Sequence, residues 1–461
     1  MEFLIKYFQI EARGSSISAE IIGGIVTFLA MVYILPVNSF MLADAGMSQP
    51  GVFVATALAA GFATILMGFL GKVPIALASG MGINAFFTYT VVLGLGFTWQ
   101  EALAAVLVSG VLFLIVSLTG LRKLIINAIP RDLKFAIGAG IGFFIAFIGL
   151  KNAGIIVSDP ATFVALGNLA NPVVLLGLVG IFLVLILFTA GGKLSRFAII
   201  ISMLAVGIGG ALLGLIFPGL EPFMPNLTTA NLGAVSEVGG LFGQAFGALG
   251  SLLSNPLAYP VIVTLLFIDF FDTAGTLVSV GHQAGLLDKE GQLIGNDQAL
   301  LVDSVGTMFG AIVGTSTVTS YIESNTGIQA GAKTGLSAVV TGVLFLLSIL
   351  LYPLFGFVDA VFVDGVAYSP ATSLALVFVG ILMMKPLKDI NFEDPIILAS
   401  SFITVIMMIL TFKISEGIAF GFITYALLMA LSPRRKEVHW MVYGLGAFFL
   451  VHLLIYFIWI A

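Results

Sequence analysis

Long apolar stretches separated by short polar or glycine-rich breaks run from residue 17 to residue 460. About 20 predominantly apolar residues cross a bilayer as a helix, and none of these stretches alternates with the period of two that a membrane β-strand requires. The pattern predicts helical spans at 17–42, 52–70, 75–95, 103–118, 133–150, 173–189, 197–217, 257–280, 300–314, 315–329, 336–354, 372–384, 395–410 and 418–431. A further apolar stretch, 439–460, opens with His439 and Trp440 and is expected either to lie in the membrane interface or to add a span. The first 13 residues mix Phe3, Leu4, Tyr7 and Phe8 with charges and contain no small-residue cleavage site, so they predict an interfacial helix rather than a signal peptide.

Charge tests this count. With the amino terminus inside and the spans alternating, 16 of the 18 Lys and Arg fall on the cytoplasmic side, leaving only Lys151 and Lys413 outside. Cytoplasmic segments carry such an excess of basic residues in correctly drawn topologies. Composition agrees: 60% of the 461 residues are hydrophobic and 9% charged, with a mean hydropathy of +1.17, far from the ~25% charged residues of a soluble domain. The 54 glycines suit tight helix packing and broken helices. With no Cys and three His, neither thiolate chemistry nor a His-rich metal centre is expected, and no basic patch suggests nucleic acid.

Seven spans precede a long acidic loop and seven follow it, so two copies of a seven-span unit would have opposite orientations in the membrane. The first span of each half shares a weak pattern, Ile25-Val-Thr-Phe-Leu29 against Ile262-Val-Thr-Leu-Leu266. The third and tenth spans are more informative. One opens with Lys72-Val-Pro-Ile-Ala-Leu-Ala-Ser-Gly-Met-Gly-Ile-Asn84 and the other with Gly314-Thr-Ser-Thr-Val-Thr-Ser-Tyr-Ile-Glu-Ser-Asn325. Neither is good helix; each predicts a short extended piece followed by a half-helix, which membrane depth tolerates only where it lines a cavity. Paired interrupted segments at matching places in two halves point to a transport site. The competing reading is loop sequence drawn into the membrane by misplaced boundaries.

Acidic residues inside the predicted spans are the candidate chemistry. Asp269 and Asp272 are three apart on one helical face, with Thr273 and Thr276 extending the stripe. An ionised Asp at mid-bilayer costs ~2.5–3.5 kcal/mol on insertion scales, which favours a functional pair over a merely structural one. Asp303 shares its helix with Gly306, Gly310 and Gly314, a ladder that brings a neighbouring helix close; for it, supporting and purely structural roles weigh equally. Glu323 has no Lys or Arg in the ten residues before it, so it wants a proton or the N–H donors of a ligand. Asn84 offers both a donor and an acceptor. An aromatic such as Phe86, Phe87, Phe267, Phe270 or Phe271 is a candidate to stack on a flat ligand.

At Gly80-Met-Gly-Ile-Asn-Ala-Phe86, at Ile268-Asp-Phe-Phe-Asp-Thr-Ala-Gly-Thr-Leu277 and across residues 315–336 the sequence resembles the nucleobase–cation symporters of the nucleobase–ascorbate transporter superfamily, in particular the AzgA-like purine permease branch. The resemblance runs over nearly the whole chain; Ala332 stands where the pattern expects Gly. It implies an all-α polytopic fold of 14 transmembrane spans in two inverted seven-helix repeats, with interrupted third and tenth spans. A core domain would comprise 1–130 (spans 1–4) and 257–356 (spans 8–11). A gate domain would comprise 131–220 (spans 5–7) and 357–432 (spans 12–14). An extracytoplasmic loop at 221–256 and the apolar helix at 433–461 complete the division. The resemblance further implies proton-coupled uptake of guanine, hypoxanthine or adenine across the cell membrane, with no cofactor and no metal. Asn84, Asp269, Asp272 and Glu323 match family positions that bind substrate or are essential, and Asp303 matches a required network carboxylate; which of Asp269 and Asp272 faces the base stays open. Expected partners are therefore a purine nucleobase, protons and membrane lipid, and a homodimer is the one assembly considered.

Three rival functions follow from the same features. A related-fold transporter of another small solute, such as xanthine, uracil or an anion, is the alternative; an anion carrier wants a basic or neutral site, and here the intramembrane charges are acidic. A channel needs repeated rings or loops, which the chain does not display. An intramembrane enzyme needs a nucleophile–base pair or a metal motif, and none is present.

Overall fold

A computed structural model describes residues 2–119, 130–225, 232–286, 296–358 and 360–460. Its helices are α1 (Glu2–Phe8), α2 (Ile17–Met31), α3 (Ile34–Ala43), α4 (Gln49–Leu66), α5 (Met81–Ala85), α6 (Trp99–Thr119), α7 (Arg131–Asn152), α8 (Pro172–Thr189) and α9 (Ala198–Ile216). In the second half follow α10 (Ala258–Ala284), α11 (Asn296–Val313), α12 (Ser324–Gln329), α13 (Gly335–Leu347), α14 (Pro370–Met383), α15 (Pro395–Leu410), α16 (Ile414–Leu431) and α17 (Trp440–Ile460). Three two-stranded antiparallel ladders interrupt them: β1 (Leu77–Ser79) with β4 (Val318–Ser320), β2 (Ile156–Asp159) with β3 (Phe163–Leu166), and β5 (Val361–Val363) with β6 (Val366–Tyr368). Among the described residues, nine helices are long and apolar enough to cross a membrane.

Helix starts are set by capping chemistry that hydropathy does not register, and α4 accordingly begins at Gln49, ahead of the predicted 52. Ser48 accepts from the Gly51 amide and Asn171 from Val173, in each case beside a proline in the first turn, where its missing N–H costs nothing. Asp394 does the same for α15. The first span differs from expectation in another way: it is two helices, α2 and α3, with a break at Val32 and Tyr33. Pro36 has no N–H to return to the Val32 carbonyl and its ring crowds that oxygen. The Leu35 amide takes the carbonyl instead, in a tighter turn at 3.2 Å.

Two groups of helices emerge from the packing. In one, α4 lies against α3, α11 and α13, α2 against α12 and α13, and α6 against α10 and α11. In the other, α7 lies against α14 and α15, α8 against α9 and α14, and α16 against α15 and α17. Close approach rests on glycine in both. A Cβ on Gly335 would sit 2.1 Å from the Gly68 carbonyl oxygen, and one on Gly380 would sit 2.4 Å from that of Gly142. The Gly306–Gly310–Gly314 ladder faces neighbours as expected, meeting Ala63, the backbone of Ser316 and Leu241. The amino-terminal segment is fastened to the first group: Phe8 and Ile10 are buried beside Leu336, and the Arg13 guanidinium donates to the carbonyls of Lys72 and Lys333. The apolar helix α17 packs on α16 through Phe422 and Phe449, whose ring centroids are 5.6 Å apart.

The stretches at 77–79 and 318–320 cross at the heart of the first group in the register Leu77↔Ser320, Ala78↔Thr319, Ser79↔Val318. Three-residue strands deep in a membrane protein leave outer edges that must be satisfied. Thr64 of α4 both accepts from the Leu77 amide and donates to its carbonyl, each at 2.9 Å, and Thr307 of α11 donates to the Val318 carbonyl at 3.0 Å. Beyond the strands the Gly80 amide donates to Thr317, the Tyr321 amide to Ala76, and the Ala76 amide to the Ser324 hydroxyl. Helices α5 and α12 start at opposite ends of this crossing.

Candidate functional site

Helix α10 places its carboxylates beside the strand crossing. Asp269 is 1% exposed; its Oδ2 accepts from Thr307 at 2.8 Å, and its Oδ1 has no hydrogen-bond partner among the described residues. One turn on, the Thr273 hydroxyl donates to Asp303 Oδ2 at 2.7 Å and meets the Thr319 hydroxyl at 2.8 Å. Ser320 donates to the other oxygen of Asp303 at 3.0 Å. Asp303 is thus wholly buried with both oxygens engaged, tied to α10 by one bond and to β4 by the other. Asp272 is half-buried and lies within electrostatic reach of both Asp303 and Glu323. Asp269 and Asp303 feel each other in the same way, so four carboxylates form a connected series from α11 through α10 to the start of α12.

Asn84, on α5, is wholly buried. Its Oδ1 accepts from the Ser79 hydroxyl at 3.0 Å and from Ser316, while its Nδ2 has no partner among the described residues. The cluster continues through Thr315, which accepts from the amide of Asn38 at 2.9 Å, and Asn38 also donates to Thr56. One of the two half-helices therefore presents a free buried amide donor, held by hydroxyls from both strand units.

Glu323 immediately precedes α12 and is half-buried. Its Oε1 accepts from the phenol of Tyr33 at 2.8 Å. The neighbouring Tyr321 donates across the crossing to the Ser79 carbonyl at 2.5 Å. Tyr33 and Tyr321 are the site residues that sequence reasoning missed. The available signal was Pro36 in the first span: a proline there breaks the helix one turn earlier, at Tyr33. Of the aromatic candidates, Phe86 and Phe87 are fully buried, and Phe270 meets Phe113 edge-on at 5.6 Å, which commits it to helix packing. The side chain of Phe271 lies outside the described residues.

A separate cavity of about 980 Å³ has Asp44, Asn152 and Thr372 among its lining residues; Asn84, Asp269, Asp272, Asp303 and Glu323 take no part in it. The five residues singled out in the sequence instead sit around the β1–β4 crossing. What that arrangement offers is a set of acceptor oxygens, one unpartnered amide donor and two half-helix ends, suited to a small neutral ligand with N–H groups.

Broken half-helices meeting through short strands among apolar helices are the arrangement in which a membrane transporter holds its ligand. The transmembrane domain of a cyanobacterial bicarbonate transporter, BicA, has a similar fold, with a TM-score of 0.58 at 14% identity over 87% of this chain and 96% of that one. A Permease family model matches residues 18–420, and the chain belongs to that family, the nucleobase–ascorbate transporters. It is 44% identical to the guanine/hypoxanthine permease PbuG of Bacillus subtilis (strain 168), over 97% of this chain and 98% of that protein. It is 38% identical to the adenine permease AdeP of Escherichia coli (strain K12), over 94% and 92% respectively. Family and relatives are permeases, so the chain is a transporter and not an enzyme.

Proposed function

We propose that the protein is a secondary active transporter that takes up purine nucleobases with protons by alternating access. The observation that carries this reading is the gathering of Glu323, Asp272, Asp269 and Asp303 beside the strand crossing that also holds Asn84, in a chain similar to guanine/hypoxanthine and adenine permeases. A purine is flat, neutral and carries N–H donors and ring-nitrogen acceptors. Glu323 accepts the N–H groups, the free amide of Asn84 donates to an acceptor on the base, and one of Asp269 and Asp272 also faces the ligand. In this reading the chain crosses the cell membrane 14 times as two inverted repeats, with its amino terminus in the cytoplasm. Spans 1–4 and 8–11 carry the site, and spans 5–7 and 12–14 form the gate against which they move.

A neutral base is not concentrated by the membrane potential unless a cation travels with it; one charge is worth ~2.3 kcal/mol per 100 mV, roughly a fiftyfold gradient. Carboxylates with hydroxyl partners suit a proton, with the α10 pair as its carriers and Asp303 in the supporting network. The test is uptake of labelled hypoxanthine into proteoliposomes. Accumulation should be saturable, competed by unlabelled purines, increased by external acid and collapsed by a protonophore. Asp269→Asn or Asp272→Asn, whichever carries the proton, should keep exchange of bound for free base while blocking uphill accumulation. Accumulation that survives the protonophore and follows Na⁺ overturns the coupling; the absence of purine uptake overturns the substrate.

A further inference from the structure

Tyr33 belongs to none of the motifs that mark the site, yet it holds the site's key carboxylate. The residue lies at the break between α2 and α3 that Pro36 creates, is 1% exposed, and donates its phenol to Glu323 Oε1 at 2.8 Å across 290 positions of sequence. Among the described residues no Lys or Arg pairs with Glu323; its own backbone amide and this O–H, its one side-chain donor among those residues, hold the orientation of the carboxylate. With the phenol on Oε1, that oxygen has less capacity left for a ligand.

We propose that Tyr33 sets which purines the protein prefers, by occupying one oxygen of Glu323 and presenting the other to the base; this rests on the reading of Glu323 as the acceptor of the base's N–H groups. The consequence is chemical. Hypoxanthine presents a single N–H on its six-membered ring edge, and one free oxygen satisfies it. Guanine presents the same N–H beside an exocyclic amine, two adjacent donors that match both oxygens of a carboxylate. Tyr33 competes with the second donor and so narrows the advantage of the two-donor edge. It is a positioning residue, acting through Glu323. Its place is set by the break between α2 and α3, so selectivity is written partly in the backbone of a helix that carries no charge near the site.

The experiment is equilibrium competition on the purified full-length protein, with labelled hypoxanthine displaced by unlabelled hypoxanthine and by guanine. Tyr33→Phe keeps the ring and removes only the hydroxyl. It should weaken hypoxanthine binding and move the ratio of the two dissociation constants about tenfold in favour of guanine, the size expected for one hydrogen bond. Pro36→Ala restores the missing amide, lets the regular helix continue through Val32 and Tyr33 and so displaces an unchanged phenol; the ratio should move the same way. If Tyr33→Phe does not fold, the Pro36→Ala ratio decides. An unchanged ratio, or equal loss for both bases, overturns the proposal while leaving the functional reading intact. Wild-type protein that binds neither base overturns that reading and this proposal with it.

Discussion

β1 and β4 run antiparallel through three residues each, and each leads into a short helix, α5 or α12. Their backbones are treated alike: a threonine from a neighbouring helix, Thr64 or Thr307, closes the outer edge of each strand. Their side chains are not. The first unit ends on Asn84, a wholly buried amide whose oxygen is already taken by Ser79 and Ser316. The second ends on Glu323, half-buried and held by one phenol from another span and by its own backbone amide. A locked amide and a lightly tethered carboxylate are different instruments. The first supplies one fixed donor; the second supplies acceptors whose orientation a neighbour controls. Equivalent backbone positions can therefore carry unequal shares of recognition.

Glu323→Gln tests that inequality most severely. It replaces an acceptor oxygen with an NH₂ group that would face the Tyr33 phenol and the N–H groups of the base. Hydrogen bonds to a charged acceptor are worth ~1.5–3 kcal/mol each, so losing the one to the ring N–H should raise the dissociation constant for hypoxanthine by about ten- to a hundredfold. Asn84→Ala removes one neutral donor and should cost about tenfold. Equilibrium binding of labelled purine measures both; equal penalties would erase the distinction between the two units.

Asp303 sharpens the comparison, because it ties the second strand to α10 without a place in the proposed contacts with the base. Asp303→Asn puts an amide donor against either Thr273 or Ser320, both of which donate to it, at a cost of ~1–3 kcal/mol. Uptake should fall severalfold while equilibrium binding stays close to wild type. Loss of folded protein from the membrane would instead assign Asp303 a purely architectural role.

The smallest effect concerns how firmly the second unit is seated. A Cβ on Gly310 would lie 2.6 Å from the Ser316 carbonyl oxygen, at the entry to β4, and backbone there has little room to move. Gly310→Ala should lower stability by ~1–3 kcal/mol. Gly138, on α7, has nothing within 4 Å of the same added atom, so Gly138→Ala should be neutral or slightly stabilising, by up to ~1 kcal/mol. Thermal unfolding in detergent distinguishes them; equal shifts would mean that the β4 entry yields as easily as an open helix face.

The sequence by itself determined what one-dimensional information can carry: the apolar stretches and the odd chemistry of residues 72–84 and 314–325. It also singled out Asn84, Asp269, Asp272, Asp303 and Glu323, because an ionisable or amide side chain in an apolar run is conspicuous wherever it points. The pairing of Leu77 with Ser320, the threonines that close the strand edges, and the division of helices into two packing groups were decided by tertiary structure. So was Tyr33. A tyrosine in an apolar span looks like any other aromatic, and its role depends on a helix break beside Pro36 and on a partner 290 residues away. Polarity is a property of single residues and can be read one position at a time; a hydrogen bond between distant spans exists only once packing has chosen which faces meet.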